Sequence, residues 1–136
     1  MEPCAFCGIA AGRIPAHLVL DEGPIVAFLD RTPLYPGHVL DAPRAHRDTF
    51  LDVPAAELAP LFAAAQRVAR AVQSATGADG TFVAMNNVVS QSVSHLHVHV
   101  VPRRRKDGLK GFFWPRHRYG SDAEMADMAE RIRAVL

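Results

Sequence analysis

The chain has 136 residues, of which 49% are hydrophobic and 21% are charged, and its formal net charge is +1. A chain of this length is expected to form a single domain with a real hydrophobic core, and the composition is typical of a globular protein rather than a disordered one. A net charge so close to zero excludes a global electrostatic attraction to nucleic acid or to an anionic membrane, so any polyanion must be bound locally.

The N-terminal segment carries a Cys-x-x-Cys pair, Cys4 and Cys7, but neither the basic region nor the long apolar run of a signal peptide. No segment approaches the roughly 20 apolar residues needed to span a bilayer, so we expect no membrane partner. We therefore expect a cytoplasmic protein, in which thiols stay reduced and the two cysteines need another explanation than a disulfide. The pair is either half of a metal site or a redox pair, although nothing in the chain resembles the βαβ unit of a thioredoxin.

The first predicted element is a short helix that follows Pro3, with Gly12 as the candidate C-cap. Two short β-type runs, residues 17–20 and 25–29, are separated by an Asp-Glu-Gly-Pro turn and predict a hairpin. A proline-rich loop then precedes a third strand at residues 38–42.

The middle of the chain predicts one long helix, because apolar residues recur at helical spacing from residue 55 to residue 76. Asp52 is the candidate N-cap of this helix, and Gly77 marks its end. Residues 81–85 and 93–101 then complete a set of about five strands.

Residues 123–135 predict a second amphipathic helix at the C-terminus. Strands joined by short turns, with one long helix inserted, indicate an α+β fold built on an antiparallel sheet. We find no internal repeat, low-complexity segment or linker, so residues 1–136 are assigned to one domain.

The most informative motif is the run His-Leu-His-Val-His at residues 95–99. In a strand, alternate side chains point to the same face, so His95, His97 and His99 would share one face at intervals of roughly 7 Å. Neutral imidazole can act as a nucleophile, a proton carrier or a metal ligand near pH 7, so the motif predicts an active site. The alternative is polar decoration of a strand that faces solvent.

The segment Ser90-Gln-Ser-Val-Ser-His-Leu-His-Val-His-Val-Val-Pro-Arg closely resembles the signature of the histidine triad (HIT) family. Five further motifs match the family in its order: Cys4-Ala-Phe-Cys, Arg13-Ile-Pro, Ala27-Phe-Leu-Asp30, Pro36-Gly-His38-Val-Leu and Pro43-Arg-Ala-His46. The resemblance implies a HIT-like fold with about five antiparallel strands, one long helix, a short N-terminal helix and a C-terminal helix. The matches cover residues 4–102, and residues 103–136 form the tail and the last helix.

The resemblance also implies a nucleotidyl hydrolase or transferase that attacks the α-phosphorus through a nucleotidyl-histidine intermediate. His97 would be the nucleophile, since an imidazole with the usual pKa of about 6.5 is largely neutral at pH 7 and needs no metal to activate it. His99 would donate a proton to the leaving group or orient the phosphate, and its presence favours hydrolysis because the transferase branch typically has Gln there. His38 would orient the triad, the alternative being a surface histidine at a strand end.

The family pattern assigns nucleotide contacts to several polar residues. Ser92 would bind the phosphate, and Asp30 would hold both ribose hydroxyls. Without the resemblance, Ser92 is a serine in a turn and Asp30 is a turn former. Asn86 and Asn87 lie where the family often has an amide near the phosphate, and Gln91 is included with Asn86 among the expected contacts. The loop from these residues to Gln91 is shorter than in well-known branches, which leaves their roles open.

Phe6, Ile9 and Phe28 would form the wall of the base pocket in the family pattern, and all three would equally serve as core residues. Asp41 interrupts the otherwise apolar third strand and would lie on the opposite face from His38. No function is assigned to Asp41.

Many bacterial members of the family bind structural zinc with such a cysteine pair and two histidines, here Cys4, Cys7, His46 and His95. Two thiolates and two imidazoles would complete a tetrahedral site with no open position for catalysis. The site would attach the N-terminal helix to the sheet and remove His95 from the chemistry. The alternatives are a vacant site or a simple pair of buried cysteines.

Residues 103–119 interleave basic and aromatic side chains, as do proteins that bind single-stranded nucleic acid. The acidic stretch that follows balances this charge, so we expect no nucleic-acid partner. We expect the segment to shape the leaving-group side of the pocket or to contribute to a homodimer contact, since the family usually pairs two chains.

The first functional hypothesis is a hydrolase of purine nucleoside phosphoramidates or related adducts that releases AMP or GMP and needs no cofactor for catalysis. The alternative within the same chemistry is a hydrolase of dinucleoside polyphosphates such as diadenosine tetraphosphate, a branch that Val101-Pro-Arg-Arg resembles. A third hypothesis is a non-catalytic, zinc-stabilised module that binds a nucleotide or a partner, against which the intact His97 and His99 argue.

Overall fold

The computed structural model describes residues 3–110 and 115–136. The helices are α1 (Ala5–Ala10), α2 (Ala55–Thr76) and α3 (Asp122–Arg133), with a short 3₁₀ helix at Phe50–Asp52. The strands are β1 (Leu18–Glu22), β2 (Ile25–Leu29), β3 (Val39–Pro43), β4 (Gly80–Ala84) and β5 (Val98–Arg103).

The five strands form one antiparallel sheet in the order β1-β2-β3-β5-β4. Helix α2 packs mainly on β3 and β5. Phe6 of α1 joins a buried cluster with Val26, Phe28 and Leu40, whose side chains alternate with those that face α2. The predicted α+β class, with a five-stranded antiparallel sheet and one long helix, is confirmed.

Helix α2 presents one apolar face to the sheet because its buried residues recur every three or four positions. These residues are Leu61, Ala64, Ala65, Val68 and Val72. The helix ends at Gly77, whose φ of 66° lies in the left-handed region that glycine adopts most readily.

Two predicted caps are wrong. Pro54 is the N-cap of α2, while Asp52 ends the preceding 3₁₀ helix, where its carboxylate accepts hydrogen bonds from the Thr49 backbone and hydroxyl. The C-cap of α1 is Ala11, and Gly12 follows it at a φ of 76°.

The strand predicted at residues 93–101 begins only at Val98, so His95 and His97 precede it. The ladder with β3 starts at the pair Asp41 and Val98 because β3 ends at Pro43, which has no N–H to continue it. The three histidines are therefore not an evenly spaced row on one strand. The ring centroids of His97 and His99 are 4.9 Å apart rather than at the expected spacing.

The C-terminal region contributes little to the core. Ser121 caps α3, which has no buried residue. The basic residues that follow the triad are partly structural, since Arg103 binds the Asp107 carboxylate and Arg104 donates to the last carbonyls of α2. Phe112, Phe113 and Trp114 of the predicted basic and aromatic segment lie outside the described residues.

Among the described residues, no helix combines the length and the apolar character that crossing a membrane requires.

Candidate functional site

A cavity of about 660 Å³ opens on the face of the sheet that carries α1. Its wall is built by α1, by β2 and the turn after it, by β3, and by the irregular segment that precedes β5. The predicted site residues among those that line it are Phe6, Ile9, Phe28, Asp30, Ser92, His97 and His99.

His97 lines this cavity with one ring nitrogen already engaged. Its Nδ1 lies 2.8 Å from the carbonyl oxygen of His95, and a carbonyl can only accept, so Nδ1 carries the proton. The Nε2 of a neutral His97 therefore keeps its lone pair. A buried imidazole with a fixed tautomer and a free nitrogen is suited to nucleophilic attack.

His38 and His99 form a directed chain of hydrogen bonds. The Leu34 backbone N–H donates to His38 Nδ1 over 3.1 Å, so the His38 proton lies on Nε2. This Nε2–H donates in turn to His99 Nδ1 over 2.9 Å. The remaining proton of His99 is therefore on Nε2, and because His99 lines the cavity it can serve as a donor there.

Burial, together with like-charge repulsion from the neighbouring His97 and His38, lowers the pKa of His99 to about 4. Burial also lowers the pKa of His38, although the nearby Asp30 carboxylate opposes the shift. Both imidazoles are consequently neutral at pH 7, which is the state that the hydrogen-bond chain requires.

Asp30 follows the end of β2 and acts both as a turn residue and as a cavity residue. Its Oδ1 accepts from the backbone N–H of Thr32 over 2.9 Å and lies 3.4 Å from the Thr32 hydroxyl. Its Oδ2 lies 3.7 Å from His38 Nδ1. The carboxylate is thus held in place beside the histidines, where it can accept hydrogen bonds from hydroxyl groups of a ligand.

Phe6 and Phe28 belong to the core and to the cavity wall at the same time. Their ring centroids are 5.1 Å apart in an edge-to-face arrangement, and both rings are buried. Ile9 also lies on α1 and packs against the buried cluster that contains these two rings. This wall offers a flat apolar ligand such as a nucleobase a surface to contact.

Gln91 and Asn86 do not line the cavity. The Gln91 side chain accepts from the Val88 N–H and donates to the Asp48 carbonyl, at 2.9 and 2.6 Å. Asn86 donates to the Ser90 carbonyl over 3.3 Å. These amides stabilise a loop in which Val88 has a φ of 70°, a conformation that β-branched residues rarely adopt.

Sequence reasoning missed His17, Arg31 and Thr32, which also line the cavity. Their positions in the sequence could have indicated that they line the cavity, because Arg31 and Thr32 directly follow Asp30 and His17 directly precedes β1. Arg31 and His17 bring basic groups to a wall that is otherwise mainly apolar.

A second cluster, here called the metal cluster, consists of Cys4, Cys7, His46 and His95, whose ligand atoms lie within 4.8 Å of one another. The Sγ to Nδ1 distances are 3.4 Å for Cys4–His95, 3.3 Å for Cys7–His46 and 3.5 Å for Cys7–His95. In tetrahedral zinc sites with Zn–S of about 2.3 Å and Zn–N of about 2.0 Å, sulfur and nitrogen ligands are about 3.5 Å apart. The spacing of the four residues therefore fits a zinc ion.

The tautomers of both histidines in the metal cluster also suit a metal. The Nε2–H of His95 donates to the Pro43 carbonyl over 2.8 Å, and that of His46 donates to the Asp48 carboxylate over 2.7 Å. Both Nδ1 atoms are left with a lone pair directed at the thiols, and the outer hydrogen-bond partners fix the rings in the way that such partners do in known metal sites.

The Cys4 thiol lies at the N-cap of α1, where Sγ accepts from the Cys7 backbone N–H over 3.4 Å. Burial raises the pKa of Cys4, but hydrogen bonds with Cys7 and His46 outweigh this effect and hold the pKa below its usual value. A lowered pKa favours the thiolate, which is the form that binds metal.

Comparison with known proteins agrees with this architecture. The HIT domain family model matches residues 11–106. An uncharacterized HIT-like protein of Mycobacterium tuberculosis is 40% identical over 109 residues, which cover 79% of this chain and 76% of that protein. Adenylylsulfatase HINT3 of Arabidopsis thaliana is 29% identical over 140 residues, covering 98% of this chain and 69% of the relative.

A crystal structure of a Zn-bound histidine triad family protein from Mycobacterium smegmatis superposes with a TM-score of 0.75 and 33% identity, covering 97% of each chain. The HIT domain model thus matches more than half of the chain, and these proteins are similar to the chain over most of its length. The chain belongs to the HIT domain family.

Proposed function

We propose that the protein hydrolyses purine nucleoside phosphoramidates or related adducts through a nucleotidyl intermediate on His97, releasing AMP or GMP. Its family consists of nucleotide-binding hydrolases and transferases. The observation that carries the proposal is that His97 lines the cavity and donates its Nδ1–H to the His95 carbonyl, so that Nε2 is the ring nitrogen left to attack. A relative named as an adenylylsulfatase supports a reaction at an adenylyl group.

In the first step, His97 Nε2 forms a bond to the α-phosphorus while the bond from phosphorus to the leaving nitrogen breaks. The departing amine gains a proton from solvent, while the neutral His99 donates a hydrogen bond from Nε2–H to the departing group or to the phosphate. In the second step, water attacks the same phosphorus, releases the nucleoside monophosphate and restores His97. Over the complete cycle, the proton that the amine gains is balanced by the proton that water loses.

The other cavity residues would position the nucleotide. The Asp30 carboxylate would accept the two ribose hydroxyls, and Ser92 would donate to the phosphate. Phe6, Ile9 and Phe28 would contact the base. These contacts hold the reacting phosphorus near His97 and so reduce the entropic part of the barrier.

We further propose that the metal cluster binds structural zinc. The donor set, the sulfur to nitrogen distances and the two histidine tautomers support this assignment. When bound, zinc would supply a cross-link between α1 and the segment before β5, with no open position for a reactant.

A hydrolase of dinucleoside polyphosphates is the second candidate, because Arg31 and His17 line the cavity. Basic groups at this position could contact phosphates beyond the one that is attacked. The non-catalytic alternative does not explain why hydrogen bonds fix the tautomers of His97 and His99 beside the cavity.

We also propose that two chains form a homodimer. Strand β4 lies at the edge of the sheet, and Val83 on it is 46% exposed. An exposed edge strand offers unpaired backbone groups to a second copy. Light scattering should give the mass of two chains, and the mass of a single chain at working concentration would contradict the proposal.

The test of the reaction is AMP release from adenosine 5′-phosphoramidate and from diadenosine tetraphosphate, measured side by side. We expect faster release from the phosphoramidate, and an alkaline quench of a single turnover should trap one adenylyl group on His97, detected by mass spectrometry. Faster release from diadenosine tetraphosphate would favour the second candidate. Turnover without any adenylylated chain would overturn the covalent mechanism.

A further inference from the structure

Helix α1 contributes to the metal cluster and to the cavity at the same time. Cys4 is its N-cap and Cys7 lies in its first turn, while Phe6 and Ile9 line the cavity. The helix has only six residues, a length at which a helix is not stable in isolation. Its position must therefore depend on what its side chains bind.

Phe6 connects the two sites through direct ring contacts. Its ring centroid lies 5.9 Å from that of His95 and 5.0 Å from that of His97, both in edge-to-face arrangements. The same ring contacts Phe28 on the cavity wall. A shift of α1 would consequently move a wall of the cavity and the packing of the nucleophile together.

His95 provides a second connection. Its imidazole belongs to the metal cluster, and its backbone carbonyl accepts the Nδ1–H of His97 over 2.8 Å. The residue is fully buried, so its ring and its carbonyl cannot move independently by much. Whatever fixes the His95 ring also fixes the acceptor that orients His97.

We propose that metal binding at Cys4, Cys7, His46 and His95 raises the affinity of the cavity for a nucleoside monophosphate, with Phe6 and His95 as the positioning residues. The inference rests on the proposed function, because it takes the cavity to bind a nucleotide. Thermodynamic linkage then requires the nucleotide to raise the metal affinity by the same factor. We expect a factor of about ten, within the roughly 5- to 150-fold that such couplings give.

The experiment measures this factor from both sides on the full-length chain. Calorimetry gives the Kd of AMP for the zinc-loaded protein and for protein stripped with a chelator, and circular dichroism compares the fold of the two samples. Competition with a chromophoric chelator gives the zinc affinity with and without saturating AMP. Both ratios should be about tenfold and equal.

Two substitutions on α1 separate positioning from general stabilisation. Phe6→Leu keeps an apolar wall but removes the ring contacts with His95 and His97, so the coupling should fall severalfold toward one. Ile9→Val alters the same cavity wall without affecting those ring contacts. It should change the AMP affinity equally with and without zinc and so retain the wild-type coupling.

Each outcome decides between the proposals. Equal AMP affinity with and without zinc, or failure of the chain to bind zinc, overturns the inference and leaves the hydrolase proposal standing. Equal coupling in the Phe6→Leu and Ile9→Val variants also overturns it, since the ring contacts of Phe6 would then not transmit the effect of the metal. Failure of zinc-loaded protein to bind AMP contradicts the proposed function as well.

Discussion

On the face of the sheet that carries α1, the buried histidines are each fixed by hydrogen bonds, whereas on the face covered by α2 a buried carboxylate has none from any described residue. His38, His95 and His97 are all less than 5% exposed, and each engages at least one ring nitrogen. Both oxygens of Asp41 are fully buried and lack a hydrogen-bond partner among the described residues. The first face therefore holds ring nitrogens in defined orientations, while the second buries a polar group without a compensating hydrogen bond from the described residues.

The surroundings of Asp41 explain its behaviour. It pairs with Ala27 and Val98 in the neighbouring strands, and it shares a face with Val39, which packs on α2. Burial in this apolar environment raises the pKa of Asp41 to about 7. On the other face, in contrast, burial lowers the pKa values of His38, His95 and His99, and these rings form hydrogen bonds in defined directions.

The largest effect is expected from replacing His97, whose Nδ1–H donates to the His95 carbonyl. In His97→Ala, the nucleophile is lost, and AMP release should fall by about 10³-fold or more. The measurement is steady-state release of AMP from adenosine 5′-phosphoramidate. Unchanged zinc content and melting temperature would show that the variant is folded, and near-normal turnover would contradict the assignment of His97.

The second effect concerns Asp41 and has a defined sign. Its pKa is about 7 in the folded state and about 3.9 in the unfolded chain, so the folded protein binds the extra proton between these values. The free energy of unfolding should therefore decrease as pH rises from about 4 to 7, by at most about 4 kcal/mol at 1.36 kcal/mol per pKa unit. Above pH 7 this contribution no longer changes.

Replacing Asp41 tests this prediction with two variants. Asp41→Val should stabilise the protein at pH 7.5 by up to about 4 kcal/mol, since it removes the ionisable group and fills an apolar site. Asp41→Asn keeps the shape but cannot ionise, so this variant should lose the part of the pH dependence of stability that Asp41 contributes in the wild type. Denaturant unfolding at several pH values provides the data, and an identical slope in wild type and Asp41→Asn would show that Asp41 is not the titrating group.

A smaller effect is expected at the outer edge of the metal cluster. Asp48 accepts the Nε2–H of His46 and so orients the ligand nitrogen. Asp48→Ala should weaken zinc binding by roughly 10- to 100-fold, as is usual for such outer partners. Glu22→Ala removes a similarly exposed carboxylate, whose ion-pair partner is Arg67 on α2 rather than a residue of the metal cluster, and serves as the matched control. Equal zinc affinities in the two variants would rule out the orienting role of Asp48.

The same contrast explains how much could be predicted from the sequence. Local patterns were sufficient for α2, whose predicted range of 55–76 agrees with the structure because helical spacing and Gly77 act within one segment. The start of β5 was predicted incorrectly because it depends on Pro43, which lies more than 50 residues earlier in the chain and ends the partner strand.

The candidate site shows a similar division. Residue types and spacing pointed to the three histidines of the triad and to the cysteine pair, whereas Asp30, His38 and His46 were predicted only from the resemblance to the HIT family. The sequence could not reveal which nitrogen carries each proton, because Leu34, Pro43 and the His95 carbonyl decide it through tertiary contacts. It also could not show that Gln91 stabilises a loop, or that the Asp41 carboxylate has no hydrogen-bond partner in the part of the chain that the structure describes.

The smallest predicted effect concerns the hydrogen bonds from Thr32 that orient the Asp30 carboxylate. In Thr32→Val, the carboxylate loses the hydroxyl at 3.4 Å but keeps the backbone N–H at 2.9 Å. Because this hydrogen bond to the carboxylate is long, we expect it to contribute only about 0.5–1.5 kcal/mol, so KM for the phosphoramidate should rise by about two- to tenfold while kcat changes little. Thr32→Ser retains the hydroxyl and should behave like wild type. If kcat fell while KM stayed unchanged, Thr32 would affect the reacting phosphorus rather than the ribose hydroxyls that Asp30 is proposed to bind.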